Sequence, residues 1–187
     1  MSAHVLRGAL VGLLALQPFS AAAEDWSFEH QGWVVARSDD LCVMEMEYEG
    51  EGATRLTVFS KGDGADAYMT VTNINWSTEK GENYEIDFRL NGFVYSLKAI
   101  GWDAGVYKGF AIYLRDDFLR DLAETPNLKL ERSGNLVDSL SMKGSSVALS
   151  RLKICRAQLA EKAAQEQRDR NRLSHIPKDP FADQPEE

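Results

Sequence analysis

Tyr84-Glu-Ile-Asp-Phe-Arg-Leu-Asn-Gly-Phe-Val-Tyr-Ser-Leu-Lys-Ala-Ile100 decides the fold class of this chain. Tyr84, Ile86, Phe88 and Leu90 alternate with Glu85, Asp87 and Arg89. A period of two is that of a strand with one face buried and one face wet. Asn91-Gly92 follows at once. Both residues tolerate the positive φ of a type I′ turn, so the chain reverses there into a second strand over 93–100. The unit is an antiparallel hairpin, and the rest of the chain repeats its grammar.

Towards the amino terminus, residues 33–37 read as a short strand and Ser38-Asp39-Asp40 as a turn. Over 41–48, Cys42, Met44, Met46 and Tyr48 point one way while Val43, Glu45 and Glu47 point the other, which puts Cys42 on the core face. Strands are expected at 54–60 and 68–75, separated by a glycine- and aspartate-rich turn over 61–66. That turn lacks the alternating acids and closing glutamate of a calcium loop, and a solvated turn explains its composition. Towards the carboxyl terminus, 101–105 is expected as a loop and 108–114 as a strand. Phe118, Leu119 and Leu122 then switch to helical spacing, and Thr125-Pro126 ends that helix because the residue before proline resists the α region.

A second hairpin is expected from 128–132 and 136–142 around Ser133-Gly134-Asn135. Ser145 and Ser146 offer an N-cap to a longer helix. Leu149, Leu152, Leu159 and Cys155, with Ile154 beside it, form the apolar stripe of that helix. Beyond Ala164 the stripe disappears, and residues 175–187 have the composition of a disordered tail. The fold class is therefore mainly β: an antiparallel β-sandwich or barrel-like sheet of about eight or nine strands, with a short helix and a longer C-terminal helix.

The first 23 residues read as an export signal rather than structure. Arg7 gives a basic start, an apolar run reaches Leu16, Gln17-Pro18 breaks it, and Ala21-Ala22-Ala23 supplies a small-residue cleavage site. A membrane span needs about 20 apolar residues, and this run stops well short. The organisation is then 1–23 signal peptide, 24–160 β-rich domain closed by the C-terminal helix, and 161–187 polar helix extension and tail. The expected location is periplasmic or extracellular, with no membrane span once the signal is cut.

The formal net charge is −8, from 21 basic and 29 acidic residues. Nucleic-acid binding relies on a basic footprint, so this balance argues against it. Only two cysteines exist, Cys42 and Cys155. In an oxidising compartment such a pair closes a disulfide. Two buried thiols, or one reactive cysteine, are the competing readings.

No catalytic motif emerges. Outside the signal, His30 and His175 stand in a lead-in and a tail, which removes the ingredients of a Ser-His-Asp or zinc site. No catalytic residue, metal ligand or cofactor is assigned. Asp39-Asp40 and Asp116-Asp117 are adjacent acid pairs; each sits where capping and the helix dipole already call for acids. Trp26, Trp33, Trp76 and Trp102 fall at strand ends or in loops. Trp102, between glycines, is a possible binding residue, able to stack on a sugar or a partner; the competing reading is a cap over the open end of the core.

Trp33 before a Cys42-bearing strand, the short 118–122 helix, Leu128-Lys-Leu-Glu-Arg-Ser-Gly134 and Ser139-Leu-Ser-Met-Lys-Gly144 follow one another in a telling order. With the export signal, that order resembles the invasion-associated locus B family of small bacterial periplasmic proteins over most of 26–156. The resemblance implies a periplasmic β-sandwich with no known catalytic residues to carry over. The chain departs from the family in lacking further cysteines, including a Gly-Cys pair near its last third. The expected function is a non-enzymatic binding or accessory module for a protein or cell-envelope component. The alternative is a carboxylate-dependent hydrolase acting on envelope carbohydrate.

Overall fold

The computed structural model of the chain describes residues 27–38, 40–61 and 67–174. The expected signal, the tail from 175, Trp26, Asp39, His175 and residues 62–66 lie outside the described residues. Ten strands are present: β1 (Ser27–His30), β2 (Trp33–Arg37), β3 (Leu41–Glu47), β4 (Arg55–Lys61), β5 (Ala67–Asn73), β6 (Asn83–Leu90), β7 (Phe93–Ala104), β8 (Tyr107–Leu114), β9 (Asn127–Arg132) and β10 (Asn135–Ser141). Among the described residues there are also two helices, α1 (Asp116–Glu124) and α2 (Ser145–Leu173). The strands form one antiparallel sheet in the order β1-β2-β3-β4-β5-β8-β7-β6-β9-β10, open at both ends.

The decisive hairpin forms in the anticipated register, with Leu90 opposite Phe93 and Asn83 opposite Ile100. Asn91 and Gly92 take φ of 48° and 86°. The strand that sequence reasoning missed is β1, read as a lead-in. Gln31 and Gly32 also take positive φ, 51° and 84°, and fold β1 back onto β2. Glutamine at the first of these positions gives little sign of such a turn. Packing supplies the rest: Phe28 lies against the core with the Arg151 guanidinium 4.6 Å above its ring.

The sheet curls so that its two halves share one core. Trp33, Met44, Leu56 and Val58 from the first half meet Phe88, Leu90, Leu128 and Leu130 from the second, all fully buried. Phe88 makes edge-to-face contacts with Phe110 and Phe118 at 6.1 and 5.6 Å. Side-chain hydrogen bonds tie β2–β4 to the last hairpin. The Trp33 indole donates to the Lys143 carbonyl at 3.0 Å, the Tyr48 hydroxyl to the Ser141 carbonyl at 3.0 Å, and the Thr54 hydroxyl to Asp138 at 2.7 Å.

Helix α2 packs across β1–β4. Leu149, Leu152, Cys155 and Leu159 are buried while Ile154 is exposed, so the cysteine and not its neighbour faces the sheet. Cys42 and Cys155 form a disulfide with their Cα atoms 6.1 Å apart, both side chains fully buried. The helix start differs from the serine cap that the sequence suggested. Gly144 is the N-cap, in the left-handed region, with no side-chain cap. Buried Ser145 instead donates to the Leu122 carbonyl at 3.3 Å. A hydroxyl inside the core needs a partner there, and that carbonyl lies in the last turn of α1, where helical acceptors go begging. Past Leu159 the helix continues exposed to Leu173, with Gln165–Asp169 and Gln167–Asn171 hydrogen bonds four residues apart. Among the described residues no helix is long and apolar enough to cross a membrane.

Candidate functional site

The connection between β5 and β6, residues 74–82, is pinned at both ends. At its start, buried Asn73 donates to the Thr54 hydroxyl at 2.9 Å, and its side-chain oxygen accepts from the Asn75 amide at 2.8 Å. At its end the Gly81 amide donates to the Gly101 carbonyl at 2.9 Å, and the Gly101 amide to the Glu82 carbonyl at 2.7 Å. A Cβ on Gly101 would stand 1.8 Å from the Glu79 carbonyl oxygen, so only glycine permits this approach. The expected loop at 101–105 is thus not a loop. Strand β7 runs through it to Ala104, and Gly101 marks a close backbone contact instead.

Held this way, the connection lays Trp76 flat on Phe110, ring centroids 5.8 Å apart and planes 7° from parallel. Tyr84 stands beside it; its hydroxyl accepts from the Glu79 amide at 2.8 Å. The Arg132 guanidinium lies 4.8 Å over the Tyr84 ring. A register shift between Leu136 and Asp138 in β10 marks the place where Val137 joins the wall. These side chains and Ile86 enclose a hollow of about 280 Å³ at the open end of the core.

The chemistry of the hollow is mixed in a defined way. Apolar and aromatic groups form its walls, and Asn75, Ser77, Thr78 and Arg132 add polar atoms. Thr78 Oγ1 is buried beneath that surface, with no hydrogen-bond partner among the described residues. Among the described residues no aspartate or glutamate lines the hollow and Arg132 has no carboxylate partner. The site therefore carries local positive charge in an acidic chain.

Trp102 lies elsewhere. It sits in β7 opposite Gly109 and is 42% exposed, on the sheet face away from core residue Ala99. Ile100 and the edge-to-face pair Tyr68–Tyr113 share that outer face. The tryptophan that lines the open end is Trp76, which sequence reasoning recognised only as one of four in loops or at strand ends. Nothing in the sequence joined Tyr84 to Arg132, since their meeting depends on β6 and β9 lying side by side.

Of the described acids in these pairs, Asp117 has structural employment. Asp40 and Asp116 are exposed. Asp117 accepts from the Arg115 guanidinium and, at 2.9 Å, from the Phe118 amide. The Arg115 hydrogen bond pulls its carboxyl down to about 2, opposed by desolvation. Asp117 borders a second hollow of about 260 Å³ with Tyr95, Tyr113 and Arg115. It is the single acid on that wall, and a carboxylic acid so strongly ionised is a poor proton donor at neutral pH. Among the described residues no group of three or more His, Cys, Asp or Glu is placed to hold a metal.

An open, curled antiparallel sheet packed on one terminal helix defines the structural class. The same fold occurs in the solved invasion associated protein B from Bartonella henselae, with a TM-score of 0.55 over 69% of this chain and 96% of that one. The two sequences are 13% identical, so the likeness is one of fold. No protein-family model matches the chain, and no curated protein matches it in sequence.

Proposed function

We propose that this protein is a secreted, extracytoplasmic, non-enzymatic binding module that captures a protein or envelope component in the hollow beside Trp76. The observation that carries this reading is an aromatic hollow bordered by Asn75, Ser77 and Arg132, whose guanidinium meets no carboxylate among the described residues. A few convergent polar groups in an apolar concavity are the usual anatomy of a binding site. The side chains that line it form no nucleophile–base pair and no pair of carboxylates. The buried disulfide supports folding in an oxidising compartment, in keeping with the export signal read at residues 1–23. The likeness in fold to an invasion associated protein of a bacterium fits an envelope setting.

The test is retention of envelope components on the immobilised, oxidised protein, compared with Trp76→Ala and Trp102→Ala. A component held by wild type and Trp102→Ala but released by Trp76→Ala is the expected result. Identical eluates from wild type and Trp76→Ala would remove the hollow as the binding site.

A further inference from the structure

The polarity of the hollow narrows its ligand. We infer that it receives the carboxyl-terminal residue of a polypeptide, with an apolar side chain inside and the α-carboxylate on Arg132. This deepens the binding-module reading and rests on it.

Size comes first. At about 280 Å³ the hollow lies just under the span of drug-sized sites, roughly 300–1,000 Å³, so it suits one residue-sized group. The walls come second. Phe110, Ile86 and Val137 present only carbon, and the Tyr84 hydroxyl is already engaged by the Glu79 amide. A sugar ring set against those three walls would turn hydroxyls onto carbon, each lost bond costing on the order of tenfold in affinity. An aliphatic or aromatic side chain loses nothing on the same surface.

The charge comes third. The Tyr84 ring holds the guanidinium of Arg132 from one face, and among the described residues no carboxylate pairs with its N–H groups. A planar fork of donors without a carboxylate partner pairs best with a planar anion, which a carboxylate is. Asn75 and Ser77 supply neutral polar partners in the same hollow. An apolar group and a carboxylate must therefore belong to one small moiety. A carboxyl-terminal residue carries both on a single Cα, whereas an internal acidic residue has its carboxylate in place of the apolar side chain. Capture of terminal carboxylates is an established recognition mode.

The experiment titrates the oxidised full chain with four probes: acetyl-Gly-Gly-Leu as free acid, the same peptide as its amide, octanoate and glucuronate. The readout is the indole NMR signal of Trp76, assigned by its loss in Trp76→Phe. The free acid should saturate that signal and bind about tenfold or more tightly than the amide, the usual scale for a charge-assisted pair. Arg132→Gln should erase the preference for acid over amide, and Arg132→Lys should keep part of it. Both changes fall on an exposed side chain at the end of β9 and leave the core untouched. Equal binding of acid and amide overturns the inference, as does tighter binding of octanoate or glucuronate, or saturation by none of the four. If amide or glucuronate saturates the Trp76 signal, the hollow remains a binding site and only the terminal-carboxylate assignment fails. If the immobilised protein holds its envelope component regardless of Trp76, both fail together.

Discussion

Removing both cysteines, as Cys42→Ala with Cys155→Ala, tests how the fold is held across its length. The bridge joins residues 113 apart in sequence, tying β3 near the start of the domain to α2 at its end. In the chain-entropy view, a loop of that length restricts the unfolded state by about 5 kcal/mol. Against a total stability of about 5–15 kcal/mol, that is a large share. Native packing should survive, because Leu149, Leu152 and Leu159 still cover the sheet. The urea midpoint, read by far-ultraviolet circular dichroism, should fall by about 2.5 M for a slope of about 2 kcal/mol per molar. Unfolding wild type under reductant should reproduce the variant, since loss of the crosslink is the common cause. A midpoint shift below about 0.5 M in the variant refutes the reasoning, because the unfolded state would then gain little freedom from losing the bridge.

Gly101→Ala should cost about 1–3 kcal/mol and shift Trp76 fluorescence, because the new methyl meets the Glu79 carbonyl at 1.8 Å and must displace the 74–82 connection; an unchanged emission spectrum and melting temperature would contradict the described contact. The Tyr48 phenol is raised well above its ordinary value, first by burial and then by Asp138. The folded state thus keeps a proton that the unfolded chain releases, so this contribution is complete below about pH 10 and is lost as pH rises beyond it. Tyr48→Phe should be less stable at neutral pH by about 1 kcal/mol, for the lost bond to the Ser141 carbonyl, but should lose stability more slowly above about pH 10 in denaturant titrations. Asp117 is held down to about 2, so its contribution is present above about pH 4 and is lost as pH falls through about 2. Asp117→Asn should make acid unfolding shallower across that window, followed by fluorescence from pH 5 to 1.5.

Much of the fold is local grammar. Alternation at Tyr84–Leu90, the two positive dihedrals that Asn91-Gly92 accept, and the helical spacing at 118–122 depend on neighbours in the chain, and each element forms where that chemistry places it. The disulfide was also open to inference, because one pair of cysteines admits one bridge and Cys42 falls on the inward face of β3. What the sequence by itself determined is therefore the antiparallel class, the helices, nearly every strand and the covalent tie.

Tertiary structure decided the rest, wherever a residue's role is set by something distant. Strand β1 exists because β2 and Arg151 receive it. Gly101, which reads as turn punctuation, is instead the place where Glu79 passes too close for a side chain. Ser145 gives up the capping role because the Leu122 carbonyl meets it in the core. The candidate site belongs wholly to this second group. Trp76 and Tyr84 are near one another in the chain, but Phe110 and Arg132 are distant from them, and only the sheet order β8-β7-β6-β9 gathers all four around one hollow. Backbone preferences act over a few residues and can be read from them; a pocket is made of side chains whose distances arise only when the sheet has curled.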